Sequence, residues 1–310
     1  MQANILTGDA ITKLKELPDQ SIQTVITSPP YFGLRDYGVD RQIGMEATPE
    51  AYVNNLVAIF RHVWPKLRDD GTVWLNLGDS YNGSGGAGGD YNENGIKEGQ
   101  PTYPGRKVNS LKQKDLIGIP WRVAFALQQD GWYLRQDIIW HKPAPMPESI
   151  TDRCTKAHEY IFLLSKSESY YYDHEAIKEN ADHPNAKASW TSNSRMERAS
   201  AFHSKPVGNE GNGAKYEGSN YRNKRSVWTV NPKPFKEAHF AVFPPELIEP
   251  CVLAGAPEGG MVCDVFAGSG TTGEVALRAN RNATLIEMNP EYVEIMNKRL
   301  KPLLEQQKLI

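Results

Sequence analysis

Thr27-Ser28-Pro29-Pro30-Tyr31 sets a rigid row of hydrogen-bond acceptors beside a flat ring. Each proline fixes its own φ and pushes the preceding residue toward extended backbone. Neither proline has an N–H, so this elbow offers the Ser28 hydroxyl and the carbonyls as acceptors. A planar ligand bearing an NH2 group, such as the edge of a nucleobase, suits such a corner. Ser-Pro and Pro-Pro are also ordinary loop punctuation, so the five residues alone fit a plain strand-end turn equally well.

A second stretch, Gly268-Ser269-Gly270-Thr271-Thr272-Gly273, fits the letters G-x-G-x-x-G between an expected strand and an expected helix. Taken alone, it would suggest a nicotinamide dinucleotide and an oxidoreductase. Three details argue against that reading. Asp264 stands at the strand end, where it would repel a pyrophosphate. Phe266 puts bulk inside the turn. Glu287, at the end of the next strand, is placed for a ribose diol. An acidic, glycine-lined pocket suits a nucleoside carrying a cation, and S-adenosylmethionine, with its sulfonium and ammonium groups, is such a ligand.

The elements that must hold these stretches follow from periodicity and punctuation. Asn4–Leu6 reads as a strand, and Asp9 as the cap of a helix with apolar positions Ile11, Leu14 and Leu17. Thr24–Ile26 reads as a buried strand running into the elbow. Thr48-Pro49 starts a helix with a broad apolar face, and Asp70-Gly71 turns the chain into the strand Thr72–Leu77. A helix over 120–129, strands over 132–140 and 159–164, and a helix over 245–254 bent by Pro250 come next. The last third alternates strand Met261–Val265, helix Thr271–Ala279, strand Ala283–Glu287 and a helix capped by Asn289. Such alternation predicts a parallel, doubly wound sheet. If the sheet is one layer, strand Asn4–Leu6 succeeds the final helix. The chain is then a circular permutation whose elbow and glycine turn lie at the carboxyl ends of neighbouring strands.

At 310 residues, the chain has room for one large α/β domain with an insertion. No apolar run approaches a membrane span, and no signal peptide opens it. Three widely spaced cysteines form neither a disulfide framework nor a zinc knuckle, which fits a cytoplasmic protein; the histidines show no metal spacing, so no metal is expected. Pro250-Cys251 looks like the nucleophile of a 5-methylcytosine enzyme, but it lies in an apolar helix and reads as core. The net charge of −2 is uneven. Lys178–Lys236 holds eleven Lys/Arg against five Asp/Glu, so +6, which leaves −8 for the rest. A basic segment in an acidic protein points to a local anionic partner. Between Asn82 and Gly105 lie eight of the 26 glycines, in what reads as a long loop over 82–107.

Together, Thr27–Tyr31 and Asp264–Thr272 resemble the motifs of the DNA amino-methyltransferases, which modify the exocyclic nitrogen of cytosine or adenine. The order, catalytic motif first and a basic segment between, is similar to the permuted β group of that family. Gly78-Asp79, Gly131–Lys142 and His239–Pro245 extend the likeness; Val265, where the family usually has proline, departs from it. The resemblance implies an α/β, Rossmann-like S-adenosylmethionine methyltransferase fold with circularly permuted motif order. It implies a catalytic domain over 1–172 and 237–310 and a DNA target-recognition region over 173–236.

By the same resemblance, Ser28 and the Pro29 carbonyl accept from the target NH2, Pro30 stiffens the elbow, and Tyr31 stacks on a base flipped out of the duplex. Phe266, Gly268, Ser269, Gly270, Thr271 and Thr272 shape the methionine pocket beside Thr27, Asp264 accepts from the ammonium, Glu287 holds the ribose, and Asp9 lies near the adenine. Arg195, Arg198, Arg222, Lys224 and Arg225 are candidate DNA contacts. Double-stranded DNA is the implied partner, with room for a homodimer and for a cognate restriction endonuclease, and none for a membrane. Serine at the elbow favours cytosine N4 over adenine N6. A catalytically silent DNA-binding module is the alternative from another class.

Overall fold

A computed structural model describes residues 1–34, 39, 41–83, 108–182, 220–233 and 243–306. The chain divides into two compact units, Met1–Asp173 with Arg225–Ile310, and His174–Lys224. Most of the loop over 82–107, the basic stretch 183–219 and the return near Phe235 lie outside the described residues.

The larger unit is built on an eight-stranded sheet. Its strands are β1 (Ala3–Thr7), β2 (Ile22–Thr27), β3 (Leu67–Leu77), β4 (Tyr133–His141), β5 (His158–Ser165), β8 (Val227–Thr229), β9 (Met261–Asp264) and β10 (Asn282–Glu287). Their order across the sheet is β1-β10-β9-β2-β3-β5-β4-β8. The first five run parallel, and β5 is antiparallel to both of its neighbours. Every residue of β2 is buried, as expected of a parallel strand covered on both faces. The expected pairing of the first strand is observed: Ala3–Thr7 lies in register with Ala283–Glu287. Strand order therefore reverses between β9 and β2, and the permuted order of elements closes a continuous layer.

The helices are α1 (Ala10–Glu16), α2 (Pro49–Lys66), α3 (Ile119–Gln129), α4 (Pro245–Gly255), α5 (Thr271–Arg278) and α6 (Pro290–Gln306). Their starts follow the sequence signals. Asp9 accepts from the Thr12 N–H at 2.9 Å, Thr48 from Ala51 at 3.1 Å, and Asn289 from Glu291 at 2.9 Å; each satisfies an N–H that a helix start otherwise leaves open. Tyr52, Leu56, Phe60 and Val63 of α2 are fully buried, as are Met296 and Leu300 of α6. Cys251 and Cys263 are buried in the core.

Two expectations change in detail. Asp70-Gly71 does not turn the chain into a new strand. It lies inside β3, where pairing with β2 jumps from Ile22–Leu67 to Thr24–Thr72, so 68–71 form an irregularity in one longer strand. Val227–Thr229, expected within the recognition region, pairs with Ile139–His141 and extends the main sheet. Short strands β6 (Glu179–Asn180) and β7 (Tyr221–Arg222) form an antiparallel ribbon in the smaller unit. At the root of the glycine-rich loop, the Asn82 side chain accepts from the Val108 N–H at 2.7 Å and donates to the Val108 and Leu111 carbonyls at 3.0 and 2.8 Å. Those bonds leave Asn82 1% exposed and fully engaged.

Candidate active site

In open sheets, ligands bind outside the carboxyl ends of the strands where the order reverses. The glycine turn follows β9 and the elbow follows β2, which is its hydrogen-bonded neighbour. A cavity of about 450 Å³ lies there, lined by Ser28, Pro29, Pro30 and Tyr31 from the elbow and by Phe266, Gly268, Ser269 and Thr271 from the turn. Asp9 and Glu287 line it too. The volume is in the range of small-molecule sites.

At the turn end, local backbone is held by carboxylates. Glu287 accepts from the Gly268 N–H and the Asn289 N–H, both at 2.8 Å. An ionised carboxylate has about four acceptor positions, so two remain for ribose hydroxyls. Burial pushes the Glu287 pKa upward, while those backbone bonds pull it down. Gly270 adopts φ 81°, and a Cβ there would come 2.5 Å from Met296 Cγ, so a side chain is excluded on both counts. Arg299, from α6, donates to the Ser269 hydroxyl at 3.1 Å and the Thr271 hydroxyl at 2.9 Å, and pairs with Glu274.

Asp264 is engaged within the fold on both of its oxygens. It is 1% exposed and lies beneath the cavity, not among the residues lining it. Oδ1 accepts from the Thr27 hydroxyl at 2.6 Å and the Phe266 N–H at 3.0 Å, and Oδ2 from the Thr272 hydroxyl at 2.6 Å. These bonds tie the elbow strand to the glycine turn. Burial, opposed by those three hydrogen bonds, raises its pKa to about 6. Thr27, Gly270 and Thr272 are likewise buried and are not among the residues lining the cavity.

The elbow end draws on distant strands. Tyr31 donates its hydroxyl to Glu159 Oε2 on β5 at 2.6 Å, and the same oxygen lies 3.2 Å from Asn76 Oδ1 on β3. Lys142, after β4, donates to Glu159 Oε1 and lies 4.2 Å from the centre of the Trp140 ring. Trp140, Asn76 and Glu159 all line the cavity. The Tyr31 ring lies against the backbone of Gly78, where a Cβ would come 2.4 Å from ring carbon Cε2. Tyr52 donates to the Pro30 carbonyl at 2.9 Å and so pins the elbow from behind, while Ser28 and Pro29 line the cavity. Burial and the nearby Glu159 charge hold the Tyr31 phenol well above its usual pKa. Sequence reading missed Glu159 and Asn76 as site residues. The signal for the first was a charge opening an otherwise apolar strand, His158-Glu159-Tyr160-Ile161-Phe162.

Of the expected DNA contacts, Arg195 and Arg198 lie outside the described residues. Arg222 is committed within its own unit, to Glu179 at 2.9 Å and Asp182 at 2.8 Å, so it braces the β6–β7 ribbon and is not a ready phosphate contact. Arg225 is exposed and Lys224 half-buried; the Arg225 carbonyl accepts from Trp228 Nε1 at 2.7 Å.

Sheet and cavity together define an open α/β protein with two facing ligand corners at one switch point. A family model described as DNA methylase, the N6/N4 methyltransferases, matches residues 22–298. Among curated relatives, the type II methyltransferase M.Cfr9I of Citrobacter freundii is 45% identical over 96% of this chain and 88% of its own length. M.XycI of Xanthomonas campestris pv. cyanopsidis is 46% identical over the same shares, and M.SmaI of Serratia marcescens 45% identical over 96% and 90%. Among solved structures, the cytosine-N4-specific PvuII DNA methyltransferase superposes with TM-score 0.63 at 20% identity, over 98% of this chain and 91% of its own. The complex of M1.HpyAVI with S-adenosylmethionine superposes at 0.53 with 18% identity, over 96% and 99%. This chain belongs to the DNA methylase family and is a DNA methyltransferase of the N4-cytosine/N6-adenine type.

Proposed function

We propose that the chain transfers a methyl group from S-adenosylmethionine to the exocyclic amino nitrogen of a base flipped out of double-stranded DNA, with cytosine N4 the target. The observation that carries this reading is the shared cavity, which the Ser28 elbow and the Gly268 turn line from opposite ends. The residues present fit the cofactor: Glu287 keeps acceptor positions for a ribose, and the turn itself, Phe266–Gly273, carries no Lys or Arg to cradle phosphates. When bound, the cofactor supplies an electrophilic methyl group on a sulfonium.

The chain's own residues supply the rest. The lone pair of an aromatic amino nitrogen is delocalised into its ring, so the nitrogen attacks poorly. Ser28 Oγ and the Pro29 carbonyl, accepting its two N–H groups, draw it toward tetrahedral geometry and localise that pair, a case of preorganised electrostatics. Flipping costs a few kcal/mol. Stacking on Tyr31 at about 1–3 kcal/mol per base offsets much of it, and Gly78 behind the ring sets the height of that platform.

Serine at the elbow supports cytosine, as does the likeness to a cytosine-N4-specific enzyme. Mass spectrometry of nucleosides from DNA treated with the enzyme is the test: N4-methyldeoxycytidine is expected, and N6-methyldeoxyadenosine without it reassigns the base. The basic segment, Lys178–Lys236, is the proposed target-recognition region. Its cations would hold phosphates and a few side chains would read base edges.

A further inference from the structure

A base drawn into the cavity leaves a gap in the duplex, and the stacking on both sides of that gap is lost. Proteins that unstack DNA frequently insert an apolar side chain between the bases. Such a side chain must be exposed before DNA arrives, held out by stiff backbone, and rooted beside the cavity. The connection between β4 and β5 meets these conditions. β4 runs parallel to β2 and β3, because β3 and β4 are both antiparallel to β5. Its carboxyl end therefore lies at the same edge of the sheet as the elbow. Trp140, near that end, lines the cavity, and Lys142 just beyond it bonds to Glu159, which lines the cavity too.

The roots of this connection are fastened. The Lys142 N–H donates to the Ala157 carbonyl at 2.8 Å, and Lys156 Nζ to the Asp79 carbonyl, after β3, at 2.9 Å. Arg153 pairs with Glu148 at 2.6 Å and lies 3.9 Å from the centre of the Tyr81 ring; Lys114 pairs with Asp152 at 2.6 Å. Between the roots runs Pro143-Ala144-Pro145-Met146-Pro147. Each proline fixes its own φ, and Pro145 and Pro147 push Ala144 and Met146 toward extended backbone. The segment is neither helix nor strand. Met146 is 87% exposed, more than any other large apolar side chain among the described residues. Single exposed apolar side chains are ordinary. This one, however, is presented by stiff backbone four residues beyond Lys142, and four residues span at most about 14 Å. Met146 therefore stays within reach of the cavity mouth.

We propose, resting on the reading above, that Met146 is the wedge that enters the gap left by the flipped base. Duplex DNA is the occupant because a base reaches the cavity only if DNA lies over this edge of the sheet. Methionine suits the place: unbranched and polarisable, it adapts its shape to the faces of the two bases flanking the gap. The prolines order the segment in advance, so less freedom is lost on insertion.

Single-turnover transfer of tritiated methyl to unmethylated phage DNA, with enzyme in excess of its sites, tests the proposal in Met146→Ala. Its rate should fall about tenfold, part of the cost of extruding a base, with S-adenosylhomocysteine affinity and melting temperature kept. Met146→Leu, which restores the bulk, should recover most of that loss. A second readout follows the base itself. The methylated position, located by single-molecule sequencing of the treated DNA, is placed in a synthetic duplex as pyrrolocytosine for cytosine or 2-aminopurine for adenine. Both analogues brighten when unstacked. With S-adenosylhomocysteine and saturating protein, Met146→Ala should brighten the analogue several-fold less than wild type does. Met146→Ala that matches wild type within twofold in either readout overturns the wedge, as does a loss of rate that Met146→Leu shares in full. Wild-type enzyme that moves no methyl to DNA sinks the proposed function instead.

Discussion

The two ends of the cavity are built in opposite ways. At the glycine-turn end, the contacts within the turn and the elements that follow it span at most 30 positions: Asp264 to Phe266 and Thr272, Glu287 to Gly268 and Asn289, Arg299 to Ser269 and Thr271. At the elbow end, Tyr31 is held by Gly78, Asn76 and Glu159, and Glu159 by Lys142, contributions from three other strands or their ends. One end is a local turn that the sequence nearly writes out. The other is assembled only when the sheet closes. Asp264 joins them through its bond to Thr27, 237 positions away.

Substitutions at each end sharpen this contrast. The largest effect is expected at the elbow: Ser28→Ala and Tyr31→Ala should keep cofactor affinity and lose about 10²- to 10³-fold in methyl transfer, the scale of removing a preorganised hydrogen-bond group. Unchanged turnover in both would remove the mechanism. Glu287→Gln should do the reverse, weakening S-adenosylhomocysteine binding by about 10- to 100-fold, because hydrogen bonds to a charged group contribute about 1.5–3 kcal/mol; calorimetry reads this directly. Gly78→Ala puts a methyl 2.4 Å from the Tyr31 ring. Overpacking of about 1–3 kcal/mol should tilt the platform, slowing transfer about tenfold while cofactor affinity stays put. Loss of cofactor binding in Gly78→Ala would erase the division between the two ends.

Asp264→Asn gives the smallest change in activity and a distinct signature in stability. The folded protein keeps the Asp264 proton up to about pH 6, whereas the unfolded chain releases it near the ordinary value of 3.8. Between those values the native state binds more protons, so this group lowers stability as pH rises, by about 1.4 kcal/mol per pH unit. The asparagine variant should show a flatter dependence than wild type from pH 4 to pH 6 in denaturant titrations. Parallel curves would mean that the buried group is already ionised throughout.

The fold was legible where signals are local. Caps at Asp9, Thr48 and Asn289, apolar periodicity in α2 and α6, and strand–helix alternation after Met261 were each enough to place an element. The sheet order followed from combining that alternation with an unpaired first strand. The engagement of Asp264 was not legible because a carboxylate at a strand end has the same letter whether or not two threonine hydroxyls donate to it; only the fold brings Thr27 and Thr272 beside it. Glu159 and Asn76 were missed because their contacts with Tyr31 span 128 and 45 positions, a relation no spacing rule encodes. The pairing of Arg222 with Glu179 across the ribbon was equally hidden, because charge counting does not see which residues a strand pairing brings together.

One small knot has a wider consequence. Because Asn82 and Val108 fasten the chain to itself where the glycine-rich excursion leaves and re-enters, its two ends meet at one point whatever runs between them. Lengthening a closed loop twofold costs only about 0.6 kcal/mol, so residues could be added or deleted there, or a tag inserted, without the sheet registering the change.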